Sequence, residues 1–239
     1  MNMVKYESLF DAIIQEDISS IKEFLNQLKL ENMNINNQIN SLLVNTFLGN
    51  NLYSYNNIWI DIYSYVYEDI NIDKKNKDGY TALIDATIIN NTKIVKMLIN
   101  AGVNINIKDT YNGQTALMCA IDEYNYEITI MLLKAGADIN ITCIDGYNAL
   151  ILASIGGYTN IVDMLLKIGA DINAKDTNYE ENALIIASEF GYIKIVKLLL
   201  KTGIDVNIQN KEKKTALIFA RENNHTEIVK MLINAGAKL

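Results

Sequence analysis

Residues 78–86 read DGYTALIDA, and four later stretches of the chain resemble them closely. These copies are GQTALMCA (113–120), GYNALILA (146–153), EENALIIA (180–187) and KKTALIFA (213–220). The aligned residues Thr81, Thr115, Asn148, Asn182 and Thr215 are separated by 34, 33, 34 and 33 positions. Self-similarity at this period predicts stacked supersecondary units rather than a catalytic motif.

Each copy carries the signals of a helix start. Thr or Asn at the aligned position is a good N-cap, because its side-chain oxygen can accept a hydrogen bond from a free backbone N–H. Five residues later every copy has alanine, whose small side chain lets neighbouring units approach closely. These alanines are Ala86, Ala120, Ala153, Ala187 and Ala220.

A second helix is predicted after a polar or glycine break in each unit. In the first repeat, the apolar stripe of this second helix consists of Ile94, Val95, Leu98 and Ile99. Glycine follows every second helix, where the chain often adopts a left-handed conformation. These glycines are Gly102, Gly136, Gly169, Gly203 and Gly236. A closing segment, such as residues 137–140, then turns the chain into a hairpin-like loop.

This pattern resembles the ankyrin repeat. The turn and cap D-G-x-T-x-L, the internal Ala, the stripe Val/Ile-x-x-Leu-Leu and the close G-A-D-I-N carry the match. The resemblance implies an all-α ankyrin-repeat solenoid of stacked helix-turn-helix units joined by hairpin-like loops, with five repeats over residues 76–239. The chain departs from the family where Ala replaces the usual Pro after the cap and Ile or Met replaces the usual His. Ala is an excellent helix former, so we expect apolar packing to replace the polar link.

Loop length explains the two 34-residue spacings. Compared with the segment that begins at Asp145, those that begin at Asp109 and Asp176 each have one additional residue. Insertions at the tips of surface loops are well tolerated, so we expect the repeats to stay in phase.

Residues 1–75 are predicted to form about two degenerate N-terminal capping repeats, the second with an aromatic insertion. The stretch SLFDAIIQEDISSIKEFLNQL (8–28) aligns with the first clear repeat, and terminal repeats commonly depart from consensus. The insertion LYSYNNIWIDIYSYVY (52–67) surrounds Trp59. It is interpreted either as repeat core or as an exposed aromatic patch that anchors a partner. An alternative function, a small enzyme or ligand-binding protein, would use a pocket in this region.

Residues able to carry out chemistry are few. His225 is the only histidine and lies at the break between the helices of the last repeat. The resemblance implies that it helps to fix the inter-helix turn. A zinc site of Cys119, Cys143 and His225 would need separate repeats to converge, which a rigid stack opposes. We expect Cys119 to be buried and inert and Cys143 to be partly exposed at a loop base. We predict no catalytic residue, no metal and no cofactor.

Charge and hydropathy narrow the classes of partner. The net charge of −7 opposes binding to the phosphate backbone of nucleic acids. The sequence contains no run of about 18 apolar residues, so no membrane span is predicted. The N-terminus does not resemble a secretory signal. We expect a cytoplasmic monomer, with non-classical export as an effector left open.

The resemblance also implies that the first helices and protruding loops form a concave face that binds another protein. Variable positions point to this face: the residues before the capping Thr or Asn, and those just after the internal Ala. The candidate partner-binding residues are Tyr80, Ile88, Ile89, Tyr111, Gln114, Asp122, Glu123, Tyr147, Ile155, Tyr179, Glu189, Phe190, Lys214, Glu222 and Asn223. A row of exposed apolar residues favours contact with a partner. Packing between the repeats stays open as the other interpretation.

Overall fold

The structure, a computed structural model, describes residues 73–76 and 78–238. In this part of the chain ten α-helices follow one another as five pairs. They are α1 (Ala82–Ile88) and α2 (Thr92–Asn100), α3 (Ala116–Asp122) and α4 (Tyr126–Lys134), α5 (Ala149–Ile155) and α6 (Thr159–Lys167), α7 (Ala183–Glu189) and α8 (Ile193–Leu200), and α9 (Ala216–Glu222) and α10 (Thr226–Asn234). The predicted all-α class of helical pairs is confirmed. The predicted capping repeats, including the Trp59 segment, lie outside the described residues apart from 73–75.

The described residues belong to two compact units. The first contains those up to residue 86 together with 93–104, and the second contains 87–92 and 105–238. In the first unit, DGYTALIDA begins with a turn anchored by Asn76. Its Oδ1 accepts hydrogen bonds from the backbone N–H groups of Asp78 and Tyr80 at 2.9 and 3.0 Å. Thr81 then caps α1 by accepting from the N–H of Ile84 at 3.3 Å.

The helix boundaries of the second unit follow the predicted signals. The capping residues of α3, α5, α7 and α9 each accept a hydrogen bond from the backbone N–H three residues later, at 2.9 to 3.4 Å. In both units the glycine after each second helix has a φ between 79° and 92°. Only glycine adopts this left-handed conformation without steric cost, which explains its recurrence there.

The helical pairs of the second unit stack in chain order. The first helices α3, α5, α7 and α9 each contact the next, and each packs against the second helix of its own pair. The alanines predicted at these contacts, Ala120, Ala153, Ala187 and Ala220, are fully buried. Met118, Ile151 and Ile185 stand where the family usually has His, and all three are buried. Apolar packing therefore occupies the place of that polar link.

Closing loops join consecutive pairs and occur in two lengths. The backbone N–H of Asp109 donates to the carbonyl of Gln114, and that of Asp176 donates to the carbonyl of Glu181. In the loops that begin at Cys143 and Asn210, the corresponding hydrogen bond spans one residue fewer. The additional residues predicted from the spacing therefore lie within the loops.

A carboxylate organises each longer loop. The buried side chain of Asp109 accepts from three backbone N–H groups, those of Tyr111, Asn112 and Gln114, at 2.7 to 2.8 Å. Asp176 makes the equivalent three hydrogen bonds. Three charge-assisted bonds hold the backbone of each longer loop in one conformation.

Side chains at the start of the second helices link neighbouring pairs. Asn125 Nδ2 donates to the carbonyl of Thr87 at 3.0 Å, and the Tyr192 hydroxyl donates to that of Ile155 at 3.4 Å. His225 Nε2 lies 2.9 Å from the carbonyl of Glu189. His225 therefore has a structural role, because its imidazole donates a hydrogen bond to the preceding repeat.

Candidate functional site

Two positions of each repeat come together on one surface of the second unit. The residue before the cap hydrogen-bonds to the last residue of the first helix in two repeats. Gln114 Nε2 donates to Asp122 Oδ2 at 2.6 Å, and Lys214 Nζ donates to Glu222 Oε2 at 2.9 Å. Because the first helices pack side by side, these positions form a row across the repeats. We call this row, with the residue after each first helix, the first-helix surface.

None of the fifteen predicted residues is buried. Tyr80 belongs to the first unit, and the other fourteen lie in the second. The exposed ones are Ile88, Ile89, Tyr111, Asp122, Glu123, Tyr179, Phe190, Glu222 and Asn223. The half-buried ones are Tyr80, Gln114, Tyr147, Ile155, Glu189 and Lys214. Their side chains are therefore at least partly available to another molecule.

Apolar side chains on the first-helix surface differ in how they are supported. Phe190 caps the C-terminus of α7, is 52% exposed, and stacks on Tyr192 with ring centroids 5.8 Å apart. Tyr147 is half-buried; burial and then the charges of Asp176 and Asp145 raise the pKa of its hydroxyl. Phe190 thus presents a supported ring to solvent, while Tyr147 is more firmly embedded.

Carboxylates surround Lys214, the one lysine among the fifteen candidate residues, at the other end of the row. Lys214 Nζ lies 2.9 Å from Glu222 and 3.8 Å from Glu212. Its pKa is raised, first by the hydrogen bond with Glu222 and then by the charges of Glu222, Glu212 and Glu189. Burial raises the pKa of Glu181, with smaller contributions from Glu189 and other acids, against a hydrogen bond from Asn210. This end of the surface is therefore acidic.

Sequence reasoning missed several exposed apolar residues. They are Tyr124, Tyr126, Ile144, Ile168, Ile193 and Ile233. Ile144 is 64% exposed in a loop of the shorter kind, at the position that Lys211 takes in another such loop. Aligning the loops with one another would have revealed this substitution. Glu181 was also missed, although it precedes a capping residue.

The sequence comparisons agree with this architecture. A family model described as ankyrin repeats (3 copies) matches residues 9–143, 112–176, 138–210 and 177–239. The chain is an ankyrin-repeat protein. No curated protein gives a match to it. Ankyrin repeats are generally protein–protein interaction modules and are typically non-catalytic.

The two cysteines of this ankyrin-repeat protein are both buried. Burial, followed by the charges of Asp109 and Asp122, raises the pKa of the Cys119 thiol to about 12. A thiol with so high a pKa is a poor nucleophile near neutral pH.

The expectation that Cys143 is partly exposed was wrong, since only 8% of it is accessible. Its side chain takes the sheltered position that Asp109 and Asp176 occupy in the longer loops.

The described part of this ankyrin-repeat protein has neither an evident metal site nor a membrane-spanning helix. Among these residues there is no group of three or more His, Cys, Asp or Glu side chains arranged to hold a metal ion. None of the helices within them is long and apolar enough to cross a membrane.

Proposed function

We propose that this protein is a non-catalytic interaction module that binds another protein through the candidate residues of the second unit, with the first-helix surface at the centre. Ankyrin repeats generally serve such a role. The cytoplasmic location and monomeric state expected from the sequence remain predictions. A small enzyme or ligand-binding protein with a pocket in the aromatic N-terminal region remains the alternative.

Phe190 is the observation that supports the proposal most directly. Its ring is 52% exposed at the end of the first helix α7. The corresponding positions of the neighbouring repeats lie in the same row on the first-helix surface. Ile88 and Ile89 are also exposed, at 40% and 38%. Aromatic anchors of this kind contribute a large share of the energy at protein interfaces. Burying Phe190 against a partner would recover about 2 kcal/mol of hydrophobic free energy.

Affinity capture from the native cell tests the proposal. The bait is the full chain, either wild type or carrying Tyr147→Ala and Phe190→Ala. We expect a partner that the wild type retains and the double variant loses. The matched control is Ile168→Ala at the end of α6, because Ile168 is 54% exposed and lies outside the candidate residues. This control should retain the partner.

Stability must be measured on the same proteins. If the double variant loses stability in proportion to binding, Tyr147 and Phe190 are packing residues and the assignment fails. Equal loss of the partner with Ile168→Ala would point to general surface hydrophobicity instead. Steady turnover of a small substrate by the pure protein would favour the enzyme alternative.

A further inference from the structure

Carboxylates occupy the C-terminal ends of three first helices. Asp122, Glu189 and Glu222 are the last residues of α3, α7 and α9, and Glu123 caps α3. The C-terminal end of a helix carries partial negative charge, so acidic side chains there are unfavourable for helix stability. Helix stability therefore does not account for these acids.

Three of the five second helices show the opposite arrangement. Lys134 and Lys167 are the last residues of α4 and α6, and Lys197 lies in the last turn of α8. A cation at this end interacts favourably with the helix dipole. Three second helices thus end with a stabilising lysine, whereas three first helices end with an acid, although Arg221 also lies in the last turn of α9.

Apolar residues separate two acidic areas along this surface. In the third repeat, the cap-preceding residue is Tyr147 and the helix-ending residue is Ile155, both half-buried. The second repeat contributes Asp122 and Glu123 on one side. On the other side, Glu189, Glu212 and Glu222 lie around Lys214, and Arg221 precedes Glu222 in the last turn of α9. Packed helices lie about 10 Å apart, so each acidic area begins roughly that distance from the apolar centre.

Resting on the function proposed above, we infer that the partner presents a cationic amphipathic segment, with an apolar residue for the Tyr147–Ile155 centre and Lys or Arg on both sides. Such a segment complements the surface in charge and in apolar character. Opposite charges arranged in this way favour the correct partner and register.

Binding of designed peptides tests the inference. The probe is a fluorescein-labelled amphipathic helix of 18 residues built from Leu and Lys. Two counterparts replace either every Lys by Glu or every Leu by Ser. Fluorescence anisotropy with the full chain should detect binding of the Leu/Lys peptide alone, and added salt should weaken it. Equal binding of the Leu/Glu peptide would overturn the charge assignment, and equal binding of the Lys/Ser peptide would overturn the apolar centre.

Charge variants locate the binding site. The double change Glu189→Gln and Glu222→Gln should weaken binding of the Leu/Lys peptide about fivefold and leave the unfolding midpoint unchanged or higher. Lys214→Gln should strengthen it. The control double change Glu127→Gln and Glu227→Gln alters the net charge equally but lies in the first turns of α4 and α10. An equal effect of the control would mean that overall charge alone attracts the peptide, and the inference would fall.

The outcomes separate this inference from the proposed function. One outcome is that capture of the cellular partner is lost on changing Tyr147 and Phe190 but kept on changing Glu189 and Glu222. In that case the proposed binding surface is supported, and the inference of a cationic partner segment is wrong. If the chain self-associates and the Glu189→Gln, Glu222→Gln variant prevents this, the occupant is a second copy rather than a foreign segment.

Discussion

We predict that replacing Ser188 by Ala stabilises the protein. The Ser188 side chain is fully buried in α7, and its Oγ has no hydrogen-bond partner among the described residues. Ser154 occupies the same position of α5 and is equally buried, but its Oγ donates to the carbonyl oxygen of Leu150 at 2.8 Å. Ser154→Ala is therefore a matched control in which a satisfied hydroxyl is removed.

The magnitude follows from the two environments. An unpartnered buried hydroxyl costs about 1 to 3 kcal/mol, and Ala exceeds Ser in helix propensity by about 0.5 kcal/mol. Allowing for some relaxation, Ser188→Ala should raise the free energy of unfolding by about 1.5 kcal/mol. Ser154→Ala gains the same propensity but loses a hydrogen bond worth about 1 kcal/mol, so it should lower the free energy by about 0.5 kcal/mol.

Urea denaturation followed by circular dichroism measures both values, and thermal melts provide a second readout. The difference of about 2 kcal/mol between the variants corresponds to a separation of about 4 to 8 °C in Tm for a chain of this size. If Ser188→Ala lowers stability as much as Ser154→Ala does, the Ser188 hydroxyl has a partner and the reasoning is refuted.

Three further predictions concern the loops and the half-buried carboxyl group of Asp85. Cys143→Asn should raise the free energy of unfolding by about 1 kcal/mol, because Asn76 at the matching position accepts two backbone hydrogen bonds; an unchanged urea midpoint would contradict this. Asp109→Ala should lower the free energy by about 3 kcal/mol, since three backbone N–H groups lose a buried acceptor; a urea titration that gives a loss below about 1 kcal/mol would be inconsistent with it. Burial, and then the charge of Asp78, raises the pKa of Asp85 to about 6, although a hydrogen bond from Asn76 lowers it. The stability gained from this proton is complete below pH 3.8 and is lost as the pH rises through 6. Asp85→Asn should therefore exceed the wild type by on the order of 1 kcal/mol at pH 7, after allowance for solvent screening, and match it near pH 4; an equal difference at both pH values would argue against the raised pKa.

Periodic features of the fold were predictable because they depend on local chemistry. The cap at Asn148 and the left-handed Gly169 are each determined by neighbours within one helical turn. The loop insertions were equally predictable, because a spacing of 34 instead of 33 leaves only the loop to absorb the additional residue. The same local signals recur in all five repeats. A wrong helix boundary in one repeat would therefore disagree with the other four.

Long-range details could not be predicted in the same way. The acceptor of His225 is a carbonyl 36 residues earlier in the chain, and periodicity does not specify which backbone atom a side chain reaches. The place of Cys143 at a loop base suggested partial exposure, whereas its side chain takes the position of the buried Asp109 in the longer loop. The candidate binding residues were chosen by position, which identified accessible sites but not the acidic character of the surface around Glu181.

Hydrogen bonds link neighbouring repeats in both chain directions. Lys108 Nζ and Lys175 Nζ donate to later carbonyls, those of Thr142 and Gln209. Asn125, Tyr192 and His225 donate from a later repeat to a carbonyl of an earlier one. The backbone N–H of Ile144 likewise donates to the carbonyl of Asn112. A ribosome releases a chain from its N-terminal side. Each of these hydrogen bonds can therefore form only after the later of the two repeats has emerged. Each repeat therefore gains its full set of hydrogen bonds only when the next repeat is present, and a nascent chain that stalls between two repeats leaves the newest repeat bonded to its predecessor alone.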